Sequence, residues 1–280
     1  MTQAEHILTN IDEKFKGRRG FIRQLGLASA GVGAFLAKAQ AQATITDADI
    51  VQFALNLEYL EAEFYTVARL GRTIDQMGVG ITGSGTAGAT TGGQKVTFIE
   101  GSTLAIATDQ IGADERQHVT FLRTTLTSLG ITPVAKPAIN LNALGTGFES
   151  QEAYINLARS FEDVGVSAYA GAAPLIKNAT ILGAAARILA VEAYHAGILR
   201  LHAALYQAPT KPVDALDQAP PPTGTRFVPV DANALALIRT PGQVLNVVYG
   251  GAVNANSGGF FPTGVNGAIN GSSAPATAAA

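Results

Sequence analysis

The 280-residue chain contains no cysteine, which excludes disulfide frameworks, thiolate zinc sites, iron–sulfur clusters and cysteine nucleophiles. Any metal must therefore sit on carboxylates and imidazoles. Charge is scarce as well: 14% of positions are charged, and 19 basic residues stand against 21 acidic ones for a formal net charge of -2. No block of like charges occurs beyond residue 40, so the basic stripe that a nucleic-acid surface needs is missing. The 47% hydrophobic content instead supplies the core of one large domain or two small ones, and argues against a disordered or coiled-coil chain.

The first 43 residues read as an address. Arg18 and Arg19 stand in Gly17-Arg18-Arg19-Gly20-Phe21-Ile22-Arg23, ahead of a weakly hydrophobic Gly/Ala-rich run from Leu25 to Ala37. That run is too short for the ~20 residues that span a bilayer. Ala39-Gln40-Ala41 and Ala41-Gln42-Ala43 offer the small-x-small pattern of a signal-peptidase site. Together they resemble a twin-arginine export signal, with cleavage expected after Ala43 and a periplasmic or extracellular destination. The resemblance makes the twin-arginine machinery a partner and leaves no stable membrane insertion after cleavage. Loss of six basic and three acidic residues leaves 13 and 18, a mature chain near -5. That route carries folded proteins, which raises the expectation of a bound metal.

Hydrophobic periodicity then predicts four helices. Asp47 or Asp49 can cap the first, whose Ile50, Phe53, Leu57, Leu60, Phe64 and Val67 recur at three- and four-residue spacing and which ends near Gly71. Gln76 to Gln94 is Gly, Thr, Ser and Ala without period, a long loop or small hairpin excursion. It has no Lys-Ser/Thr partner and follows no strand, so it is no phosphate loop. The second helix is expected from Ser102 to Leu129, the third behind Glu149-Ser150-Gln151-Glu152 to Ala173, and the fourth from Ala179 to Tyr206. The expected fold is all-α: a four-helix bundle over residues 44–207 with one long crossover between helices two and three. An irregular Pro/Gly-rich C-terminal extension, 208–280, should wrap on it. The extension's helical candidates are Asn233–Leu237 and Pro241–Val248, and Ser272–Ala280 is expected to be disordered.

Only three histidines lie beyond residue 43, and two have Glu three residues earlier: Glu115-Arg116-Gln117-His118 and Glu192-Ala193-Tyr194-His195. Nine glutamates in the 237 mature residues give a histidine about a 4% chance of such a partner, so two of three is a usable signal. An i, i+3 pair shares a helix face and can hold one ion. The other helices offer Glu58, seven before Tyr65, and Glu162, seven before Tyr169; two turns place each Tyr near its own Glu's stripe. The order Glu, Glu-x-x-His, Glu, Glu-x-x-His is what a carboxylate-bridged dinuclear site in a bundle requires. Glu61, one turn after Glu58, competes with it for the same position. His202, near a helix end, is expected to be structural, Tyr65 and Tyr169 stand between packing and hydrogen bonding to the carboxylates, and Asp114 stands between orienting the opposite histidine and solvation.

At these residues the chain resembles the ferritin-like di-metal superfamily, and within it the exported ferritin-like proteins of the desiccation-related group. Leu55-Asn56-Leu57-Glu58-Tyr59-Leu60-Glu61-Ala62-Glu63-Phe64-Tyr65, Arg239-Thr240-Pro241-Gly242-Gln243-Val244-Leu245-Asn246 and Gly258-Gly259-Phe260-Phe261-Pro262 carry that likeness. It implies Glu58 and Glu162 as terminal carboxylates, Glu115 and Glu192 as bridges, and His118 and His195 as imidazole ligands. Carboxylates with one imidazole per ion suit two iron or two manganese ions. The expected function is an exported di-iron or di-manganese oxidoreductase, a ferroxidase or a peroxide consumer, acting on dioxygen or peroxide. The alternative is a non-enzymatic metal-binding or desiccation-protection protein of the same fold. A homo-oligomer fits either reading.

Overall fold

The computed structural model describes residues 45–278, so the twin-arginine segment lies outside the described residues. Helix α1 spans Asp47–Leu70, α2 Thr103–Ser128, α3 Gln151–Ala172, α4 Ala179–Leu205 and α5 Pro241–Val248. Each start carries a side chain that accepts the first free backbone N–H groups. Ser102 accepts from Ala105, Ser150 from Ala153, and Asn178 from both Thr180 and Ile181. For α1 the cap is Thr46, not Asp47 or Asp49. Thr46 and Asp49 form a reciprocal capping box, because the hydroxyl reaches the third helical N–H while Asp49 reaches back. Asp47 is used elsewhere: its carboxylate accepts the backbone N–H groups of Lys177 and Asn178 at 2.9 and 2.7 Å, tying the start of α1 to that of α4.

The long helices pack as α1 on α2 and α3 on α4, with further contacts of α1 to α3 and α2 to α4. Between them lie Leu55, Tyr59, Phe64, Leu104, Val119, Tyr154, Ile155 and Leu199, all within 1% of full burial. Phe64 centres an aromatic cluster, stacked on Tyr154 at 5.4 Å and edge-on to Phe161 at 5.0 Å and Phe148 at 5.3 Å. Such pairs add to simple area burial because ring edges and faces carry opposite partial charge. Helix α4 is long and apolar enough to cross a membrane by composition, yet its Ile188, Glu192, His195, Leu199 and His202 form one buried stripe.

Residues 72–102 form no hairpin. Strand β1, Thr90–Thr91, pairs in parallel with β2, Ile139–Asn140, in the crossover, and Ser84 bridges Val134 the same way. Lys136 donates to the Gly88 carbonyl at 3.0 Å and to Thr90 at 2.8 Å. Gly83 and Gly88 lie so close to Pro133 and Ala138 that an added Cβ would sit 2.0 and 2.2 Å from backbone atoms. The absence of hydrophobic period hid this stitching, which runs through backbone groups.

The extension departs from expectation in two places. Asn233–Leu237 is a turn closed by a bridge of Val230 with Ala236, since Asp231 accepts the backbone N–H groups of Asn233 and Leu235 and so outcompetes a helix. Within the described residues, the stretch 272–276 is partly packed: Ser272 donates to the Ala255 carbonyl and Ala276 is 4% exposed beside Leu216 and Leu237. Three buried arginines tie the extension to the helices. Arg159 holds Asp217 at 2.7 Å, Arg239 holds Asp214 at 2.6 Å within the extension and donates to the Ser167 hydroxyl at 2.8 Å, and Arg200 holds Asp163 at 2.6 Å while donating to the carbonyls of Gln218 and Phe227.

Candidate metal centre

Six side chains from four helices converge in the middle of the helical region: Glu58 (α1), Glu115 and His118 (α2), Glu162 (α3), Glu192 and His195 (α4). Glu115, Glu162 and Glu192 are fully buried and Glu58 is 1% exposed. They form two overlapping groups that could each hold a metal ion. One is Glu58, Glu115, His118 and Glu192; the other is Glu115, Glu162, Glu192 and His195. Within each, the donor atoms lie within 4.8 Å of one another. Glu115 and Glu192 belong to both.

The contacts inside each group are ones of charge. His118 Nδ1 lies 3.2 Å from Glu58, 3.5 Å from Glu115 and 3.4 Å from Glu192. His195 Nδ1 lies 3.1 Å from Glu115 and 3.3 Å from Glu162. None of these is aligned as a hydrogen bond. Both Nδ1 atoms, both oxygens of Glu115 and Glu192, and one oxygen each of Glu58 and Glu162 are buried without a hydrogen-bond partner. Buried polar atoms of folded proteins are nearly always satisfied, so eight orphans facing one another in one place call for a ligand.

The remaining oxygens of Glu58 and Glu162 are taken. Tyr169 donates to Glu58 at 2.5 Å and Tyr65 donates to Glu162 at 2.5 Å. Each tyrosine therefore serves the glutamate of the other helix, not its own. Two helical turns place Tyr and Glu on one stripe, but both side chains then point into the gap between α1 and α3, where the nearest carboxylate is the opposite one. Burial, and then the adjoining Glu162 and Glu58 charges respectively, hold both phenols well above the usual tyrosine range, so they stay protonated donors.

Electrostatics follow from burying many acids together. Burial and the charge of Glu58 push Glu115 up to about 7 against the contacts of His118 and His195. Glu192 and Glu61 are held well above the carboxylate range by burial and then by their acidic neighbours. Burial also raises Glu58, yet the His118 charge and the bonds around it leave Glu58 below its ordinary value. Burial opposes the imidazolium of His195, but Glu162 and Glu115 raise it to about 12; His118 is raised for the same reasons. Among the described residues, the imidazoles of His118 and His195 are the cationic groups in contact with these acids.

Around this centre, Asp114 approaches His195 Nε2 at 3.3 Å and is itself half exposed. The equivalent position before Glu192 is Val191, so the arrangement is not symmetric. Glu61 is buried beside the cluster and belongs to neither group. His202 is spent elsewhere, with Nδ1 on the Ile198 carbonyl at 2.8 Å and Nε2 on Thr103 at 3.1 Å. Sequence reasoning passed over two helix-interior glycines. A Cβ on Gly165 would lie 2.5 Å from Glu192, and one on Gly112 would lie 3.2 Å from Tyr65. Their signal was readable: Gly112 stands three before Glu115 and Gly165 three after Glu162, where glycine costs helix stability without a packing reason. Glu63 was also unassigned; it faces the buried Lys136 at 3.4 Å and accepts the Ile74 N–H.

No curated protein matches the chain significantly. The family model described as the ferritin-like domain matches residues 46–205, which covers α1 to α4 and every residue of the cluster. The chain belongs to the ferritin-like domain family.

Proposed function

We propose that the four helices are a ferritin-like bundle with a long crossover, holding a carboxylate-bridged pair of iron or manganese ions. Glu58 and His118 would hold one ion and Glu162 and His195 the other, with Glu115 and Glu192 available to both. One observation carries this reading. Glu58 and Glu162 each have one oxygen committed to a tyrosine and one free, whereas Glu115 and Glu192 have both oxygens free. A terminal ligand needs one oxygen and a bridge needs two. Four carboxylates also neutralise two divalent cations, which removes the repulsion that an unfilled acidic core suffers, and oxygen donors with one imidazole per ion favour iron or manganese.

Bound there, either metal supplies electron transfer to dioxygen or peroxide, and the protein is read as an oxidoreductase exported by the twin-arginine route. The chain's own residues do the rest. Tyr65 and Tyr169 fix the terminal carboxylates, Asp114 holds the His195 ring so that Nδ1 faces inward, and the aromatic cluster around Phe64 excludes water. Metal analysis of protein folded in the cytoplasm tests the centre, with two equivalents of iron or manganese expected. Turnover of Fe(II) or hydrogen peroxide then supports the oxidoreductase, while a folded protein with no metal supports the non-enzymatic role in desiccation protection. For export, changing Arg18 and Arg19 together to Lys should leave precursor in the cytoplasm; an unchanged periplasmic yield refutes that route.

A further inference from the structure

Helix α4 keeps one side in the core and leaves the other open. Along the open side exposed residues follow one another at three- and four-residue steps, the spacing of a seam that meets another helix. The N-terminal half of this line is Thr180, Gly183, Arg187 and Ala190. The C-terminal half is Tyr194, Ile198, Leu201 and Leu205, exposed by 74, 36, 46 and 64%. Arg187 is the one charged residue on the open side. Phe227 and Val228 of the extension, 48 and 67% exposed, flank the line where Arg200 donates to the Phe227 carbonyl. At about 200 Å² for each side chain when fully open, these six bulky residues leave on the order of 650 Å² of apolar surface uncovered. The largest apolar patch of a monomer is about 300–600 Å², and one side of a stable interface is about 800 Å².

We propose that this side of α4 is the interface of a symmetric dimer, in which the α4 helices of two copies of the chain lie antiparallel about a two-fold axis near residues 192–193. The order of sizes along the line selects a second copy as the occupant. Pairing about that axis sets Ala190 against the partner's Tyr194, Gly183 against the partner's Leu201 and Thr180 against the partner's Leu205. Each small residue thus receives a bulky one, and the symmetry makes every contact twice. Parallel pairing would crowd bulky residues at one end and leave a gap at the other. Charge agrees with the same register. Arg187 falls against the partner's Ile198, one turn from the His195 that Asp114 approaches at 3.3 Å, and Asp114 is half exposed there. The arginine stem packs on the aliphatic side chain while its head meets the carboxylate. In its own chain Arg187 stands eight residues from His195, ~12 Å along the helix, and forms no ion pair among the described residues. A lipid surface is a poorer match, because interfacial helices line their polar flank with Lys and Arg and this side carries one cation.

Sedimentation equilibrium of the full-length protein tests the assembly and needs no metal; a dimer is expected. Ala190→Glu sets a carboxylate beside the axis at an exposed position that accepts a good helix former, and should give a monomer with unchanged circular dichroism. The chain has no cysteine, so introduced thiols report the register without background. Gly183 and Leu201 lie ~27 Å apart along one helix, too far to bridge within a copy. Oxidation should therefore link two copies in the Gly183→Cys, Leu201→Cys double variant and in neither single one. Arg187→Glu should weaken the dimer about tenfold by placing like charge against Asp114, and adding Asp114→Arg should restore it. A monomer at the highest soluble concentration, or a dimer that persists in Ala190→Glu, overturns the proposal. Absence of the double-variant cross-link, a cross-link from one cysteine alone, or an Arg187→Glu defect that Asp114→Arg does not relieve overturns the antiparallel register and the proposal with it. A monomer that floats with phosphatidylglycerol vesicles also overturns it and makes this side of α4 a lipid contact.

Discussion

At the scale of single residues, the free and committed oxygens around the cluster order the effects of substitution. Glu115→Ala removes a group shared by both donor sets, whereas His118→Ala removes a donor from one. Loss of Glu115 should therefore abolish binding of both ions, and loss of His118 should leave about one equivalent in the purified protein. Tyr169→Phe deletes the hydroxyl that fixes Glu58, and Tyr65→Phe the one that fixes Glu162. Each should weaken metal binding by about 10- to 100-fold, measured by competition with a chelator. The crossed bonding makes a sharper test: Tyr169→Phe combined with Glu58→Gln should cost little more than Glu58→Gln alone, because the two act as one unit. Additive losses would show that the bond is incidental. Glu61→Ala, outside both groups, should retain both ions; loss of metal with Glu61 but not with Glu58 would transfer the terminal role to Glu61.

At the scale of elements, the helices were readable because burial imposes a period on them, and the connections were not. Gln76 to Gln94 reads from its sequence as a polar loop, and a polar loop tolerates shortening because closure entropy changes only slowly with length. Its contacts with the crossover reverse that expectation: deletion of Thr82 to Gly92 removes the β1 pairing, the Ser84 bridge and the Lys136 bonds to Gly88 and Thr90. Lys136 is 2% exposed and would be left with Glu63 alone, so the deletion should lower the thermal midpoint by several degrees. The arginines behave alike. Arg200 is fully buried with Asp163 as its partner, and Arg200→Ala leaves that acid partly uncompensated. The expected loss is about 3–5 kcal/mol in chemical denaturation, with the extension becoming sensitive to protease. A loss within error would mean that the extension is held by its apolar contacts, such as Phe260 on Phe161 at 5.1 Å.

At the scale of the whole molecule, the centre couples stability to pH and to metal. In the metal-free protein Glu115 is pushed up to about 7 from an ordinary 4.5, and Glu61 and Glu192 are also held well above the ordinary carboxylate range by burial and their acidic neighbours. The folded form therefore holds more protons than the unfolded form above pH 4.5, and stability falls as pH rises through that window. His195, raised to about 12 from 6.5, acts with the same sign: its contribution is complete below 6.5 and is lost as pH rises toward 12. Glu58, lowered, has the opposite sign and loses its contribution in acid below 4.5. Metal ions bound by these carboxylates would displace those protons and carry the compensating charge themselves. Thermal midpoints taken from pH 5 to 9 should thus decline for the metal-free protein and stay level for the loaded one. Parallel curves would place the metal somewhere other than these carboxylates.

The amino-acid order by itself determined the four helices, because each carries a cap and a three- and four-residue apolar repeat, and it marked the cluster, because Glu-x-x-His twice on apolar stripes has no ordinary reason to exist. Both signals are local: a cap, a turn and an i, i+3 pair are complete within a few residues. What only the tertiary structure decided is which groups meet. Tyr65 reaches Glu162 across 97 residues and Tyr169 reaches Glu58 across 111, and nothing local chooses the opposite glutamate over the near one. The same holds for the strand pairing of 90–91 with 139–140, for Asp47 closing on the start of α4, and for the terminal residues packing near Leu216. These depend on distances between helices set by packing, a sum over the whole core that no window of sequence contains.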